Sequence, residues 1–305
     1  MLPVLLLSIT PIISSSAGER GCAILESGVA IFTVKGKIVL LLAADIGNTN
    51  IHLGLWNGES WALNWRARTV ADKMPDEYGV LVRNFLTSAD VAFEAVSGVI
   101  ISSVVPPLTA SFTELARRYF KLEPVVVTHT TNTGVMIDID QPEQAGADRI
   151  VNAAAVVGLH GGGPALVIDF GTATTFDVID RRGAYCGGAI CPGIGVAHDA
   201  LVSRAAKLHK VDLVPPPSAI GRNTIHAMQS GIFFGYVAMI EGLAARIKAQ
   251  MRSDDPLIKD ENAIRVIATG GLSAIFKEHS PIIDEIEPEL TLDGLRVIYA
   301  LNRKA

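Results

Sequence analysis

Residues 38–56 read IVLLLAADIGNTNIHLGLW. The unbroken apolar run from Ile38 to Ala44 ends in a single carboxylate, Asp45, and such a run reads as a strand buried on both faces. Ile46-Gly47-Asn48-Thr49-Asn50 follows as a turn, and Ile51 to Trp56 alternates as a second strand does. Asn57-Gly58 is a hairpin signal leading into a third strand over Trp61 to Arg68. Residues 165–183 repeat this order: an apolar strand from Ala165 ends at Asp169, Phe170-Gly171-Thr172-Ala173 turns, Thr174 to Ile179 is a strand, and Asp180 to Gly183 is a tight turn. The copies lie a domain length apart, which points to a duplicated fold and not to a short solenoid repeat.

Around the two copies, strands alternate with helices. Helical spacing runs from Asp76 to Leu86, Pro106-Pro107 opens a helix reaching Phe120, and Gly146 begins another that continues through Val157. A long helix is expected from Thr224 to Met251 and a last one from Asp293, while 96–102, 124–128 and 266–268 read as strands. The class is therefore α/β. Gly158 and Gly161-Gly162-Gly163 mark the boundary between two domains, 39–160 and 161–305.

Residues 1–38 stand apart as an extension. Met1 to Ile13 is an apolar run of signal-peptide length and Ser14-Ser15-Ser16-Ala17-Gly18 imitates a cleavage site, yet the first basic residue is Arg20. An extension without function, arising from an early start codon, is preferred here over an export signal. The run is shorter than the ~20 residues that span a bilayer, and no other stretch is expected to cross one.

The chain has 305 residues, 49% of them apolar, with a net charge of −5. So apolar a composition excludes disorder, and the acidic balance argues against a nucleic-acid reader. Three cysteines, Cys22, Cys186 and Cys191, exclude a disulfide framework and suit a reducing compartment. The seven histidines show no metal spacing, and neither a P-loop nor a protein-kinase glycine loop occurs. Gly231 and Gly235, bracketing Ile232-Phe233-Phe234, read as close helix packing at a subunit contact.

A strand that ends in a carboxylate and turns through glycine brings backbone amides toward whatever lies above the turn, forming an anion-binding concavity. Asn48 and Thr49 add side-chain donors. Asp45 would repel a phosphate, so its natural task is to hold a cation or a bound water. Two such turns in a duplicated fold suit a nucleoside triphosphate screened by cations. Asp148, in Gly146-Ala147-Asp148-Arg149, has two readings: an acid favouring the positive end of a helix, or a general base on a substrate hydroxyl with Arg149 holding a carboxylate. Spacing alone favours the first.

Five motifs in order complete the picture: Asp45-Ile46-Gly47-Asn48-Thr49-Asn50, Gly146-Ala147-Asp148-Arg149, Asp169-Phe170-Gly171-Thr172-Ala173-Thr174, Gly187-Gly188-Ala189-Ile190-Cys191-Pro192-Gly193 and Gly221-Arg222-Asn223-Thr224. From Leu40 to Arg303 the chain resembles the type III pantothenate kinases, within the actin-like superfamily that holds acetate and sugar kinases. The resemblance implies two ribonuclease H-like domains, a duplicated actin-like ATPase fold with a cleft between them. It implies ATP-dependent phosphorylation of pantothenate to 4'-phosphopantothenate, the first step of coenzyme A biosynthesis, in a cytoplasmic homodimer with no nucleic-acid or membrane partner. On this pattern Asp45, Ile46, Gly47, Asn48, Thr49, Asn50, Ile51, His52 and Thr172 bind ATP. Gly146, Ala147, Asp148, Arg149 and Thr224 bind pantothenate, and Asp148 becomes the proton acceptor. Asp169 matches the ligand of a monovalent cation, K+ or NH4+, and Mg2+ accompanies the nucleotide. The family often has Tyr followed by Asn-Pro ahead of the GADR motif, where this chain has Ile139 and Gln141-Pro142. The alternatives are a non-catalytic regulatory protein of the same fold and a kinase for another small hydroxy acid.

Overall fold

The computed structural model describes residues 40–303 and, before them, the backbone of four short strands: β1 (Thr10–Pro11), β2 (Arg20–Ile24), β3 (Ala30–Val34) and β4 (Lys37–Ile38). These pair antiparallel in the order β1-β2-β3-β4. Apart from Thr10 and Pro11, the signal-like run and the serine-rich stretch after it lie outside the described residues. The chain forms two compact units. The first runs through Thr133 and adds Gly146–Val151 and the chain from Leu295 onward; the second comprises Gly134–Ala145 and Asn152–Gly294.

The first unit is built on β5 (Leu40–Ile46), β6 (Asn50–Trp56), β7 (Trp61–Arg68), β8 (Val96–Ser103) and β9 (Val125–Val126). Their order is β7-β6-β5-β8-β9, with β5 antiparallel to β6 and parallel to β8. Helices α1 (Pro75–Thr87) and α2 (Pro106–Leu115) cover one face. There Leu40, Leu42, Ala44 and Ile46 of β5 meet Tyr78, Val82 and Leu86 of α1 and Leu108 and Phe112 of α2. Side chains alternate along a strand, so Leu41, Ala43 and Asp45 take the opposite face. Leu42 is 2% exposed, and truncating such a leucine to alanine costs about 2–5 kcal/mol. The proline-initiated helix expected to reach Phe120 is regular only through Leu115; the last turn, Ala116–Phe120, widens to a π-helix and stops at Lys121, whose φ is 58°.

The second unit repeats the plan with β10 (Ala165–Phe170), β11 (Ala173–Ile179), β12 (Tyr185–Pro192), β13 (Arg265–Gly270) and β14 (Glu285–Ile286), in the order β12-β11-β10-β13-β14. Strand β10 is antiparallel to β11 and parallel to β13. The matching strand orders make the protein α/β with a duplicated mixed sheet, as the two sequence copies imply. One sheet face packs on α5 (Thr224–Asp254) and α6 (Ser273–His279) through Leu166, Ile168, Phe170, Phe233, Ile240 and Phe276. The other meets α3 (Ala147–Leu159) through Val156, Val167, Ile179 and Ile267. Helix α4 (Ile194–Arg204) follows β12, and α7 (Leu290–Asn302) closes the chain.

Helix α5 is long and apolar enough to cross a membrane by length and composition, contrary to the sequence expectation that no such stretch exists. Its Phe233, Tyr236, Val237, Ile240 and Ala244 belong instead to the core of the second unit. The elements β12, α4, α6 and β14 escaped the sequence reading. Gly187 and Gly188 dilute the strand signal of β12, α6 spans 7 residues, and β14 spans 2.

Candidate functional site

Asp45 ends its apolar strand where the chain leaves the sheet. Cross-strand register places it opposite His52 of β6 and Ser102 of β8, and His52 is in turn opposite Arg66 of β7. One sheet face thus carries Arg66, His52, Asp45 and Ser102 in a single line across four strands. The Gly47 amide donates to the Asn50 carbonyl at 3.0 Å and closes the turn. Thr69 fastens it from outside: its hydroxyl donates to the Gly47 carbonyl at 2.7 Å, and its amide to the Thr49 carbonyl at 2.9 Å. Asn48, Thr49 and Asn50 are exposed, whereas Ile51 and His52 are buried. Burial, followed by the nearby Arg66 cation, lowers the His52 pKa from 6.5 to about 4. His52 is therefore neutral near pH 7 and can donate or accept one hydrogen bond at each ring nitrogen. The Ser102 hydroxyl is fully buried and has no hydrogen-bond partner among the described residues, a feature the sequence did not signal.

The second turn is shorter, with the Gly171 amide donating to the Ala173 carbonyl at 3.0 Å. Asp169 lies opposite Thr175 of β11 and Thr269 of β13. Thr172 is exposed at the bend, and its carbonyl accepts from the Gly193 amide at 3.0 Å, joining the turn to the start of α4. Gly270 has φ 89°, and a Cβ there would lie 2.7 Å from Asp169 Oδ1. The missing side chain at Gly270 is what seats the carboxylate. A hard carboxylate oxygen beside bare backbone is a donor set that fits an alkali or ammonium ion. Asp169 Oδ2 accepts from Asn152 Nδ2 at 3.3 Å.

Asp148 is the second residue of α3 and is half-buried. Its Oδ1 accepts the Arg149 amide at 2.9 Å, and a Cβ on Gly146 would come within 2.5 Å of that oxygen. The glycine before the helix makes room for the carboxylate. The helix-start role and the proton-acceptor role are compatible, because a carboxylate has a second oxygen. Ile139, where the family often has an aromatic residue, packs against the α3-side core of the second unit, and Pro142–Gln144 forms a 3₁₀ turn.

Thr224 opens α5 behind Asn223, whose Oδ1 caps the helix by accepting the His226 amide at 2.8 Å. It borders an apolar groove of about 550 Å³ between α4 and α5, lined by Ile194, Ala197, Leu201, Met228 and Tyr236. Gly231 and Gly235 line the same groove, and among the described residues no atom outside their chain neighbours and their own helix's backbone lies within 4 Å of where their Cβ atoms would be. Among the described residues they are therefore not packed against another helix. Gly146 to Arg149 and the Asp45 turn belong to the first unit; Asp169, Thr172 and Thr224 belong to the second.

Sequence spacing also missed a cluster in the second unit. His160, Glu285 and Glu287 place ligand atoms within 4.8 Å of one another. The Arg265 guanidinium stands 3.8 Å from Glu285 Oε1 and already supplies a cation there. Chain separation hid it, since His160 follows the end of α3 while Glu285 lies on β14 and Glu287 just after it.

Residues 41–246 match the model of the type III pantothenate kinase family. A type III pantothenate kinase of Roseiflexus sp. is 47% identical over 264 residues, covering 87% of this chain and 100% of the relative. Its counterpart in Geotalea uraniireducens is 44% identical over 265 residues with the same coverages. Among solved structures, a Baf family protein from Campylobacter jejuni is similar with a TM-score of 0.53 at 18% identity, covering 86% of this chain and 98% of that one, a likeness of fold.

Proposed function

The chain belongs to the type III pantothenate kinase family, and from that premise we propose how its residues divide the work of phosphorylating pantothenate with ATP. The transferred phosphoryl group passes from ATP to the primary hydroxyl of pantothenate, giving 4'-phosphopantothenate and ADP. Little covalent chemistry falls to the protein in such a transfer, so positioning and charge screening dominate. Asp148 accepts the hydroxyl proton as the oxygen attacks. Arg149 holds the pantothenate carboxylate, and Gly146, Ala147 and Thr224 bound the substrate. The turn from Asp45 to His52 receives the ATP phosphates, with Thr172 contributing a hydroxyl. A monovalent cation at Asp169, K+ or NH4+, and Mg2+ on the nucleotide supply positive charge that offsets the phosphates when bound.

The observation that carries this reading is the family match over residues 41–246, a span that contains the five motifs, with Asp148 half-buried at the start of α3 in a pocket of space that Gly146 leaves. A homodimer through the α4–α5 groove fits the second unit, because the groove is lined mainly by apolar residues and Leu201 of α4 and Ile225 of α5 are exposed at 40% and 57%. Analytical ultracentrifugation reads that state directly. The cytoplasm, where ATP and a reducing environment coincide, is the expected compartment. The deciding experiment is a coupled assay of ADP release with pantothenate, ATP, Mg2+ and K+. Turnover is expected in the native chain, with a loss of about a thousandfold in Asp148→Asn at an unchanged melting temperature. Turnover in Asp148→Asn equal to that of the native chain removes Asp148 from the mechanism. A preference for a different hydroxy acid would reassign the substrate.

A further inference from the structure

Asp169 does not hold its orientation unaided. Asn152, one helical turn beyond Asp148 in the sequence, is 1% exposed. Its Nδ2 donates to Asp169 Oδ2 at 3.3 Å, and its Oδ1 accepts from the Thr291 hydroxyl at 2.9 Å. The direction of this chain is forced. An ionised carboxylate only accepts, so the amide must present its nitrogen to Asp169, and its oxygen is left to take the proton of Thr291. Thr291 thereby opposes a flip of the Asn152 amide, which would set two oxygens face to face. On the other side, Gly270 leaves space for Oδ1, with its absent Cβ position 2.7 Å away. One carboxylate oxygen is thus seated by bare backbone and the other by a buried amide. The three residues come from α3, β10 and α7, with Thr291 more than a hundred residues beyond the other two, and all three lie within the second unit.

We propose that Asn152, locked by Thr291, is a positioning residue that fixes the Asp169 carboxylate for monovalent-cation binding. The proposal rests on the reading of Asp169 as the cation ligand. A neutral amide suits the task better than an arginine or a lysine would. It restrains the carboxylate without itself adding a compensating charge. Partners of this outer kind change metal affinity by about 10–100-fold when removed.

The test uses the full chain and two readouts, potassium activation of the kinase and direct binding of thallous ion followed by thallium NMR. Asn152→Leu is expected to raise the half-saturating concentration of both ions about tenfold, and Thr291→Val about threefold in the same direction. The rate lost in each is expected to return as potassium is raised, with the KM for pantothenate unmoved. A purely structural Asn152 gives the opposite pattern: a lower melting temperature and a lower rate at every potassium concentration, with the ion midpoints within twofold of the native chain. That result overturns the proposal. If Asn152→Leu does not fold, Thr291→Val decides, since valine keeps the shape of threonine. Unchanged ion midpoints in that variant overturn the proposal equally. Asp169→Asn separates the two levels. Loss of thallous-ion binding there while Asn152→Leu binds normally refutes only the relay; normal binding in Asp169→Asn refutes the cation reading and the relay with it.

Discussion

The turn after β5 and the turn after β10 occupy equivalent places in two sheets of the same strand order, yet their surroundings differ. Asp45 shares its face with His52, Arg66 and a buried hydroxyl, Ser102. Asp169 is flanked by Thr175 and Thr269 and held by the Asn152 amide. The first turn is closed from Gly47 to Asn50 and strapped by Thr69; the second is one residue shorter and joined to α4 through Gly193. Duplication thus supplied the backbone twice, and the neighbours on adjacent strands specialised each copy. Arginine and a neutral imidazole stand in line with the first acid, whereas a buried amide holds the second.

Exchanging charge for amide at each acid is the strongest way to break this contrast. Asp45→Asn and Asp169→Asn are each expected to lower kcat/KM by about a hundredfold, or roughly 2.7 kcal/mol. The first should raise the KM for ATP, and the second should abolish the dependence on potassium. Identical profiles in steady-state kinetics across a potassium series would show the turns to be equivalent.

Backbone substitution sharpens the contrast next. Gly270→Ala forces a side chain onto a left-handed residue and into Asp169 Oδ1, so a loss of about 3 kcal/mol in denaturant-measured stability is expected. Gly171→Ala, whose Cβ would lie 3.4 Å from its nearest neighbour, should cost less than about 1 kcal/mol.

Acid should single out the first unit. Because the folded-state pKa of His52 is lowered to about 4 from 6.5, the unfolded chain binds the extra proton between those values. Stability therefore falls as pH drops from 6.5 toward 4 and levels below it. The full shift corresponds to about 3 kcal/mol, and solvent screening beside the exposed turn reduces it to about 2 kcal/mol. His52→Asn should flatten the pH dependence of the melting temperature in that window, and an unchanged slope would assign the acid sensitivity elsewhere. The smallest effect has the opposite sign. Ser102→Ala removes a buried hydroxyl with no partner among the described residues, so a gain of about 1 kcal/mol, or roughly 2–4 °C, is expected by calorimetry. A loss would mean that the hydroxyl is satisfied in solution.

Apolar runs ending in Asp, with glycine next to them, announced both central strands and both turns, because burial on two faces requires an unbroken apolar stretch and the sheet edge admits the first charge. The strand from Trp61 to Arg68 was legible because Asn57-Gly58 signals a hairpin ahead of it. Strand β12 was not: its paired glycines answer the close approach of β11, a neighbour that a linear reading does not contain. The short elements α6 and β14 offered too few residues for a period to register.

By itself the sequence determined the duplication, the α/β class, the five motifs and the family, since each depends on residues close along the chain or on their order. Only the tertiary structure decided which side chains stand beside the two acids. The Arg66–His52–Asp45–Ser102 line is set by strand register, and the Thr291–Asn152–Asp169 relay by a helix end meeting a helix and a strand across more than a hundred residues of chain. Hydrogen bonds act over about 3 Å of space whatever the separation in sequence, so contacts of this kind exist only once the core has packed.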